Sequence, residues 1–447
     1  MKTTVSLHLR PGLLWRATLP LLAASLLTAC GGSSNSATAT AAYNSTTLSA
    51  KASVGKLLFM DPALSDSGQQ SCSSCHAQND PVSTVYNAFD APNALSVQFG
   101  GPANNLPGLR NTPSLTYALY TPAFSIADDG TASGGFFLDG RATSLANQAG
   151  QPFLNSFEMA NTSAAELQQH LLTRPYLAQL QQVFGANAVA DPDTALANVA
   201  SAIAAFEQED PSFHRFDSKY DAYTSGTAQL TAQELRGFAL FNSPNKGNCA
   251  ACHVSSPANG LPALFTDHTY DNIGVPRNWA IPANLDSSTL SYVPHNGPEL
   301  GAPYQYYDMG ICGPLRTNLA DKTSHCGQFK VPSLRNVAVK RSYFHNGVFH
   351  TLQDAVDFYI TRDTDPTRWY VQADGVTPDI PYNDLPTQYD ANVNVLEVPY
   401  NPRLAPTLNT SERKDLIAFL CTLTDGYDPT NPAAYTYPAQ CQQAVQP

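Results

Sequence analysis

The chain has 447 residues, which is long enough for two or three domains and a large hydrophobic core. It contains 36 acidic and 24 basic residues, so its formal net charge at pH 7 is −12. This excess of negative charge argues against nucleic acid and anionic lipid surfaces as partners. The 34 prolines and 27 glycines predict long loops between the regular elements.

The first residues have the pattern of an export signal. Basic residues precede an apolar run at 19–27, which is too short to span a bilayer stably. The sequence Leu-Thr-Ala-Cys at 27–30 resembles the lipobox of bacterial lipoproteins, which implies cleavage before Cys30 and a lipid anchor on its thiol. An ordinary signal peptide with an incidental cysteine is the alternative. We therefore predict a signal peptide over 1–29, a flexible Ser/Thr/Ala-rich tether over 30–50 and a periplasmic location.

Two copies of the pattern Cys-x-x-Cys-His are the strongest functional signal in the chain. The pattern attaches a c-type haem, because two sulfurs on one short turn can form thioethers with the haem vinyl groups and the histidine can ligate the iron. A disulfide, a redox pair or one zinc site with all four cysteines is the alternative, but the histidine directly after each pair favours haem. The two sets are Cys72, Cys75 and His76, and Cys249, Cys252 and His253.

Four further cysteines remain after the haem motifs and the lipobox. In an oxidising compartment an even number of cysteines predicts disulfides, and four cysteines allow three connectivities. We expect the pairs nearest in sequence, which are Cys312 with Cys326 and Cys421 with Cys441. Four buried free thiols are the alternative.

A helix is predicted to lead into each haem motif. The pattern Gly-x-x-Leu-Phe-x-x-Pro occurs at 55–62 and at 237–244, and each copy precedes a Cys-x-x-Cys-His sequence. The sequence Thr231-x-x-Glu234 predicts a capping box at the start of the second helix. Further amphipathic helices are predicted to begin near Ser163, Asp193, Thr351 and Ser411.

Alternating patterns typical of strands are scarce, so the predicted fold class is mainly α, with long loops over the cofactors. The repeated unit of helix and haem motif predicts two cytochrome c-like haem domains that form a pseudo-repeat. Residues 208–230 are polar and are the expected boundary region. We place the N-terminal haem domain at 51–215 and the C-terminal haem domain at 216–447.

Four longer motifs accompany the haem motifs. They are Gly-Leu-Arg-Asn-Thr-Pro-Ser-Leu at 108–115, Phe-Phe-Leu-Asp-Gly-Arg at 136–141, Phe-Lys-Val-Pro-Ser-Leu-Arg-Asn at 329–336 and Tyr-Phe-His-Asn-Gly at 343–347. In combination they resemble the bacterial di-haem cytochrome c peroxidase/MauG family. The resemblance implies two covalently bound haem c groups and an active site near the domain interface. It also implies that hydrogen peroxide meets the N-terminal haem, while the C-terminal haem relays or stores oxidising equivalents.

The resemblance implies roles for individual residues. Glu158 matches a distal carboxylate that moves a proton from one peroxide oxygen to the other during O–O cleavage, and Gln148 matches an amide that orients peroxide. A surface carboxylate and a helix-surface amide are the alternatives. The side chain of Asn111 and the backbone carbonyls of Lys340 and Ser342 match a calcium site between the domains.

Three positions bear on ligation and electron transfer. No histidine occurs between His76 and His170, so the N-terminal haem is expected to have an open distal face. Tyr359 falls at the family's sixth-ligand position of the C-terminal haem, where the peroxidases have Met and MauG has Tyr, and a phenolate lowers the reduction potential. Packing in the core is the alternative for Tyr359. Leu138 stands where the family often has Trp between the haems. We therefore expect either that electrons pass through neighbouring aromatic residues or that the two haems couple weakly.

The leading hypothesis is a haem-dependent oxidoreductase that uses hydrogen peroxide to oxidise an external donor. The donor would be a small cytochrome or copper protein, as for the peroxidases, or side chains of a partner protein, as for MauG. Tyr359 favours the MauG-like branch and Leu138 weakens it. A non-catalytic di-haem electron carrier or haem sensor is the main alternative, and an oxygenase is a third.

Overall fold

The computed structural model describes residues 47–76, 96–285, 306–400 and 405–445. The predicted signal peptide, the predicted acylation site Cys30 and most of the predicted tether lie outside these residues. Within them the fold is mainly helical, as predicted, with twelve α-helices and six strands of two residues each. No described helix is both long enough and apolar enough to cross a membrane.

The helices are numbered α1 to α12 in chain order. They span Ala50–Met60, Cys72–Cys75, Leu145–Leu154, Ala164–Leu172, Leu177–Phe184, Pro192–Glu209, Lys219–Thr224, Ala232–Asn242, Pro282–Leu285, Leu352–Thr361, Pro366–Trp369 and Thr410–Cys421. The strands form three antiparallel pairs, β1 with β2, β3 with β4 and β5 with β6. They span Phe99–Gly100, Leu106–Pro107, Ser125–Ile126, Ala132–Ser133, Tyr270–Asp271 and Phe329–Lys330.

Local hydrogen bonds explain where the predicted helices begin. The Ser163 hydroxyl accepts a bond from a backbone N–H in the first turn of α4. At the start of α8, the side chains of Thr231 and Glu234 each accept from the other residue's backbone N–H, which confirms the predicted capping box. The Thr351 hydroxyl accepts from the Asp354 N–H at 3.0 Å and caps α10. These bonds satisfy N–H groups that have no partner inside the helix, so local sequence sets the helix starts.

The helix before each haem motif crosses a second helix at a glycine. In α1, a Cβ atom on Gly55 would lie 1.9 Å from the carbonyl oxygen of Ala202 in α6. In α8, a Cβ atom on Gly237 would lie 2.0 Å from the carbonyl oxygen of Asp415 in α12. No side chain fits at such distances, so the glycine of the Gly-x-x-Leu-Phe pattern is what permits each close crossing.

An aromatic pair packs at the corresponding place beside each crossing. Phe59 lies four residues after the glycine of α1 and meets Phe206 of α6, with ring centroids 5.5 Å apart. Phe241 lies four residues after the glycine of α8 and meets Phe419 of α12, with centroids 5.2 Å apart. The two pairs belong to separate buried apolar clusters. In the two helix crossings, α6 and α12 therefore occupy equivalent places, and Phe206 of α6 corresponds to Phe419 of α12.

Replacing Gly237 by alanine is expected to lower the free energy of unfolding by about 1–3 kcal/mol, because the added methyl group pushes α8 away from α12. Urea unfolding of the haem-loaded protein measures the change. Gly150→Ala in α3 is the matched control, since a Cβ atom there would lie 3.3 Å from the Ala200 methyl group and the helix interior favours alanine. Equal losses in the two variants would contradict the importance of the close crossing.

Both predicted disulfides are confirmed. Cys312 is bonded to Cys326 and Cys421 to Cys441, with Cα–Cα distances of 5.0 and 6.0 Å. The free-thiol alternative is therefore wrong. The second disulfide joins the last residue of α12 to the C-terminal segment, so it holds that segment against the helix that crosses α8.

Candidate functional site

The cysteines of the two haem motifs are free thiols that lie in two different cavities. Cys72 and Cys75 line a cavity of about 800 Å³, here called the N-terminal cavity. Cys249 and Cys252 line a cavity of about 350 Å³, here called the C-terminal cavity. Burial raises the pKa of Cys75 and of Cys249 to about 12, whereas redox pairs have a lowered thiol pKa. A disulfide, a redox pair and a single four-cysteine zinc site therefore do not fit.

Each motif histidine is a neutral imidazole. Burial lowers the pKa of His76 to about 4 and also lowers the pKa of His253, and the neutral ring is the form that ligates metals. Nδ1 of His253 lies 3.0 Å from the carbonyl oxygen of Phe265, a bond that fixes the ring as in metal-ligating histidines. Nδ1 of His76 is buried without a hydrogen-bond partner among the described residues. A buried polar atom without a partner costs free energy. No described protein group satisfies this nitrogen of the His76 ring.

Tyr359 and Tyr400 are among the residues that line the C-terminal cavity together with His253. Tyr359 comes from α10, and the ring of Tyr400 stacks on it with centroids 6.0 Å apart. The guanidinium of Arg362 lies 4.0 Å from the centroid of the Tyr400 ring. Burial raises the pKa of Tyr359, so its phenolate form requires a nearby cation such as ferric iron. Tyr359 therefore lies in the cavity where the resemblance requires a sixth ligand.

Glu158 lines the N-terminal cavity, as does Gln148 from α3. The carboxylate Oε1 of Glu158 accepts a hydrogen bond from Nδ2 of Asn155 at 2.8 Å. Burial raises the pKa of Glu158, while Arg141 and the bond from Asn155 oppose the rise. A carboxyl group whose pKa is shifted toward neutrality exchanges protons readily at working pH, which suits acid–base chemistry.

Several residues line both cavities, and Leu138 is one of them. The aliphatic side chain that replaces the family's Trp thus lies in the wall shared by the two haem-motif cavities. Phe137 and Gln148 also line both cavities. The guanidinium of Arg141 lies 3.7 Å from the centroid of the Phe137 ring. Phe137 therefore supplies an aromatic side chain to this wall, where Leu138 does not.

Of the three residues expected at a calcium site, Asn111 and Ser342 are hydrogen-bonded to each other. Nδ2 of Asn111 donates to the carbonyl oxygen of Ser342 at 3.2 Å, and its Oδ1 accepts from the Ser342 hydroxyl at 3.0 Å. The carbonyl oxygen of Lys340 accepts from the Tyr343 hydroxyl at 3.1 Å. These oxygens suit calcium chemically, although each already accepts a hydrogen bond. Over the ranges that the structure describes, no group of three or more His, Cys, Asp or Glu side chains is arranged to hold a metal ion.

Sequence patterns did not reveal two residues that line the cavities, Glu207 and Tyr400. Glu207 is only 4% exposed, and it lines the same cavity as Glu158. The available signal was an acidic residue directly after the apolar stretch 202–206 of an amphipathic helix, where buried acids are rare. Tyr400 follows a loop without periodicity, so no pattern pointed to it.

Each cavity combines a short turn with two thiols and a buried neutral imidazole. The cavity volumes fall within the range of cofactor sites. The residues therefore fit two covalently attached haem groups, one per cavity. Fold and sites together define a mainly helical protein with two c-type haem sites.

The comparisons with known proteins agree with this class. The family "Di-haem cytochrome c peroxidase" matches residues 49–229. The methylamine utilization protein MauG of Paracoccus denitrificans is 38% identical over 312 residues, which is 69% of this chain and 74% of that protein. Cytochrome c peroxidase Ccp of Escherichia coli is 29% identical over 308 residues, which is 68% of this chain and 52% of that protein. The crystal structure of the diheme peroxidase BthA from Burkholderia thailandensis has a TM-score of 0.73 and 38% identity, and the match covers 86% of this chain and 88% of that chain.

The chain belongs to the di-haem cytochrome c peroxidase family. It is a haem-dependent oxidoreductase of the peroxidase type, with two haem c cofactors. The family predicted from the four motifs is confirmed.

Proposed function

We propose that hydrogen peroxide is reduced in the N-terminal cavity and that the oxidising equivalents leave through the C-terminal cavity to an external donor. The observation that carries this proposal is a carboxyl group with a raised pKa, Glu158, in the cavity of the first Cys-x-x-Cys-His motif. His76 and His253 would hold the two haem irons. A bound haem supplies the iron that binds peroxide and the one-electron redox chemistry.

The protein's own contribution in the N-terminal cavity is proton transfer and orientation. Glu158 takes a proton from one oxygen of peroxide and returns it to the other as the O–O bond breaks. The bond from Nδ2 of Asn155 to Oε1, at 2.8 Å, holds the carboxyl group in place for this transfer. The carboxamide of Gln148 lines the same cavity and orients peroxide by hydrogen bonding.

The same proposal includes two cytochrome c-like haem domains, at 51–215 and 216–447, related as a pseudo-repeat. Its support is the repeated crossing at Gly55 and Gly237, each with an aromatic pair and each followed by a haem motif with its own cavity. The wall that both cavities share would then lie where the two domains meet.

We place the chain in the MauG-like branch of the family, with Tyr359 as the sixth ligand of the C-terminal haem. Its support is the presence of Tyr359 in the C-terminal cavity and the 38% identity with MauG of Paracoccus denitrificans. A hard anionic phenolate would lower the reduction potential of that haem relative to a methionine ligand. The donor would then be a partner protein whose side chains are oxidised, or a small cytochrome or copper protein.

Replacing Tyr359 by phenylalanine is expected to abolish the phenolate-to-iron charge-transfer band of the C-terminal haem, because the ligand oxygen is lost. Replacing it by methionine should raise the reduction potential of that haem. Optical spectra and a potentiometric titration measure both effects. Tyr400→Phe is the matched control, since it removes the stacked neighbour and should keep the band. Loss of the band in Tyr400→Phe alone would show that the ligand is Tyr400.

Peroxide titration with candidate donors tests the function itself. A high-spin ferric signal that changes with stoichiometric peroxide, followed by oxidation of an added cytochrome, copper protein or partner protein, is the expected result. Two low-spin haems that do not respond to peroxide would instead support an electron carrier or haem sensor.

The remaining proposals concern location and calcium. We propose export to the periplasm through the signal over 1–29, with a lipid anchor at Cys30, on the strength of the sequence pattern. We also propose one calcium ion held by Asn111 and the carbonyls of Lys340 and Ser342, supported by their oxygen chemistry and by the contact between Asn111 and Ser342. Mass spectrometry of the mature N-terminus and metal analysis before and after chelation test these two points.

A further inference from the structure

A second carboxyl group lines the N-terminal cavity besides that of Glu158. Glu207 in α6 is buried, and its Oε2 has no hydrogen-bond partner within the described part of the chain. Burial is the main cause of the raised pKa of the Cys72 thiol, and both carboxyl groups add to that rise. Glu207 therefore lies close to the haem attachment turn. Burying a carboxyl oxygen without a partner costs free energy, so packing does not account for this residue.

The residue that corresponds to Glu207 in the C-terminal cavity shows which kind of side chain packing requires there. The two helix crossings match Phe206 of α6 to Phe419 of α12, so Glu207 is matched to Leu420. Leu420 lines the C-terminal cavity as Glu207 lines the N-terminal one. An apolar side chain thus suffices for packing at this place in the fold. Of the two matched residues, only the one in the cavity assigned to peroxide carries an acid.

We propose that Glu207 is a second acid–base group of the N-terminal cavity, which delivers to it the protons that peroxide reduction consumes. This inference rests on the proposed function of that cavity. Reduction of H2O2 to two molecules of water breaks the O–O bond, forms two O–H bonds and takes up two electrons and two protons. The external donor supplies the electrons. Glu158 relays a proton between the two peroxide oxygens without net uptake, so the two added protons need another route, and Glu207 passes them in one at a time from solvent.

The electrostatics agree with this role. Burial raises the pKa of Glu207 to about 8, so the carboxyl group holds a proton at neutral pH and can donate it. The titratable groups on the elements around α6 are Lys51, Lys56 and Asp61 at α1, Cys72 and Cys75 of α2, Glu158 after α3, Glu166 and His170 of α4, and His214 after α6. Lys56 pairs with Asp210 at 3.4 Å. Burial, rather than a neighbouring charge, is the cause of the raised pKa of Glu207.

The test compares Glu207→Gln and Glu207→Leu in the holoenzyme, after two haems per chain have been verified. The leucine variant reproduces the side chain that the fold uses at Leu420. Glu209→Gln is the matched control, because Glu209 lies on the same helix but accepts hydrogen bonds from Ser49 at 2.8 Å and does not line the cavity. Infrared spectra follow the C=O band of the protonated carboxyl group across pH, and steady-state kinetics give kcat and KM for peroxide.

The wild type and Glu209→Gln should show a protonated-carboxyl band that is lost as the pH rises through about 8, together with a fall in kcat over the same range. Both Glu207 variants should lack the band and that fall, and their kcat at pH 7 should be on the order of 10²-fold lower with an unchanged KM. If the band persists in the Glu207 variants, or if both keep the wild-type dependence of kcat on pH, the proton-delivery role of Glu207 is wrong. The proposed function of the cavity is not affected by that result. A wild-type protein that turns over no peroxide overturns the proposed function and this role together.

Discussion

Replacing Glu158 by glutamine is expected to lower kcat for peroxide reduction by about 10²–10⁴-fold with little change in KM, because an amide cannot take up the proton that O–O cleavage moves. Glutamine keeps the size of the side chain and can still accept the bond from Asn155, so the cavity keeps its shape. Initial rates at saturating donor concentration measure the loss. The same substitution at Glu209, outside the cavity, should leave kcat unchanged.

The pH dependence of this step follows from the direction of the pKa shift. Burial raises the pKa of Glu158, and the carboxylate must be ionised to accept a proton. The value of kcat/KM should therefore fall as the pH drops through the raised pKa, and this acid limb should be missing in Glu158→Gln. A variant that keeps wild-type rates and the acid limb would show that another group is the base.

Replacing Arg335 by methionine is expected to lower the free energy of unfolding by about 3–5 kcal/mol, because it leaves the carboxylate of Asp221 buried without its cation. The guanidinium donates to the two carboxylate oxygens of Asp221 at 2.8 and 2.9 Å, and both residues are buried. Nε of Arg335 also donates to the carbonyl oxygen of Ala263 at 2.8 Å. Urea unfolding of the haem-loaded protein measures the loss.

An ion pair that is partly exposed at both ends serves as the control. Nζ of Lys246 donates to Oε1 of Glu412 at 2.8 Å, and the two side chains are 42% and 24% exposed. Water solvates the partners when such a pair is broken, so Lys246→Met should leave the unfolding midpoint almost unchanged. The double variant Arg335→Met with Asp221→Leu should recover most of the stability, since it leaves no unpaired buried charge. Equal losses in Arg335→Met and Lys246→Met would show that burial does not set the cost.

Features that depend on residues close together in the chain could be predicted from the amino-acid sequence. The two cysteines and the histidine of each haem motif lie on one turn, so their spacing alone predicts attachment of a haem. The hydroxyl groups of Ser163, Thr231 and Thr351 cap helices within three residues of themselves, so the helix starts could be predicted. The disulfides join cysteines separated by 14 and 20 residues, so proximity in sequence was a sound guide.

Which distant residues share a cavity depends on how the helices and loops pack. Glu207 and Glu158 are 49 positions apart in the sequence. They line one cavity because α3, which ends just before Glu158, packs against α6, with Gly150 close to Ala200. Leu138 lines both cavities through the packing of loops that have no periodic pattern. The physical reason is that helix caps and haem attachment depend on bonds within a few residues, whereas burial, and with it the pKa of a carboxyl group, depends on every segment packed around it.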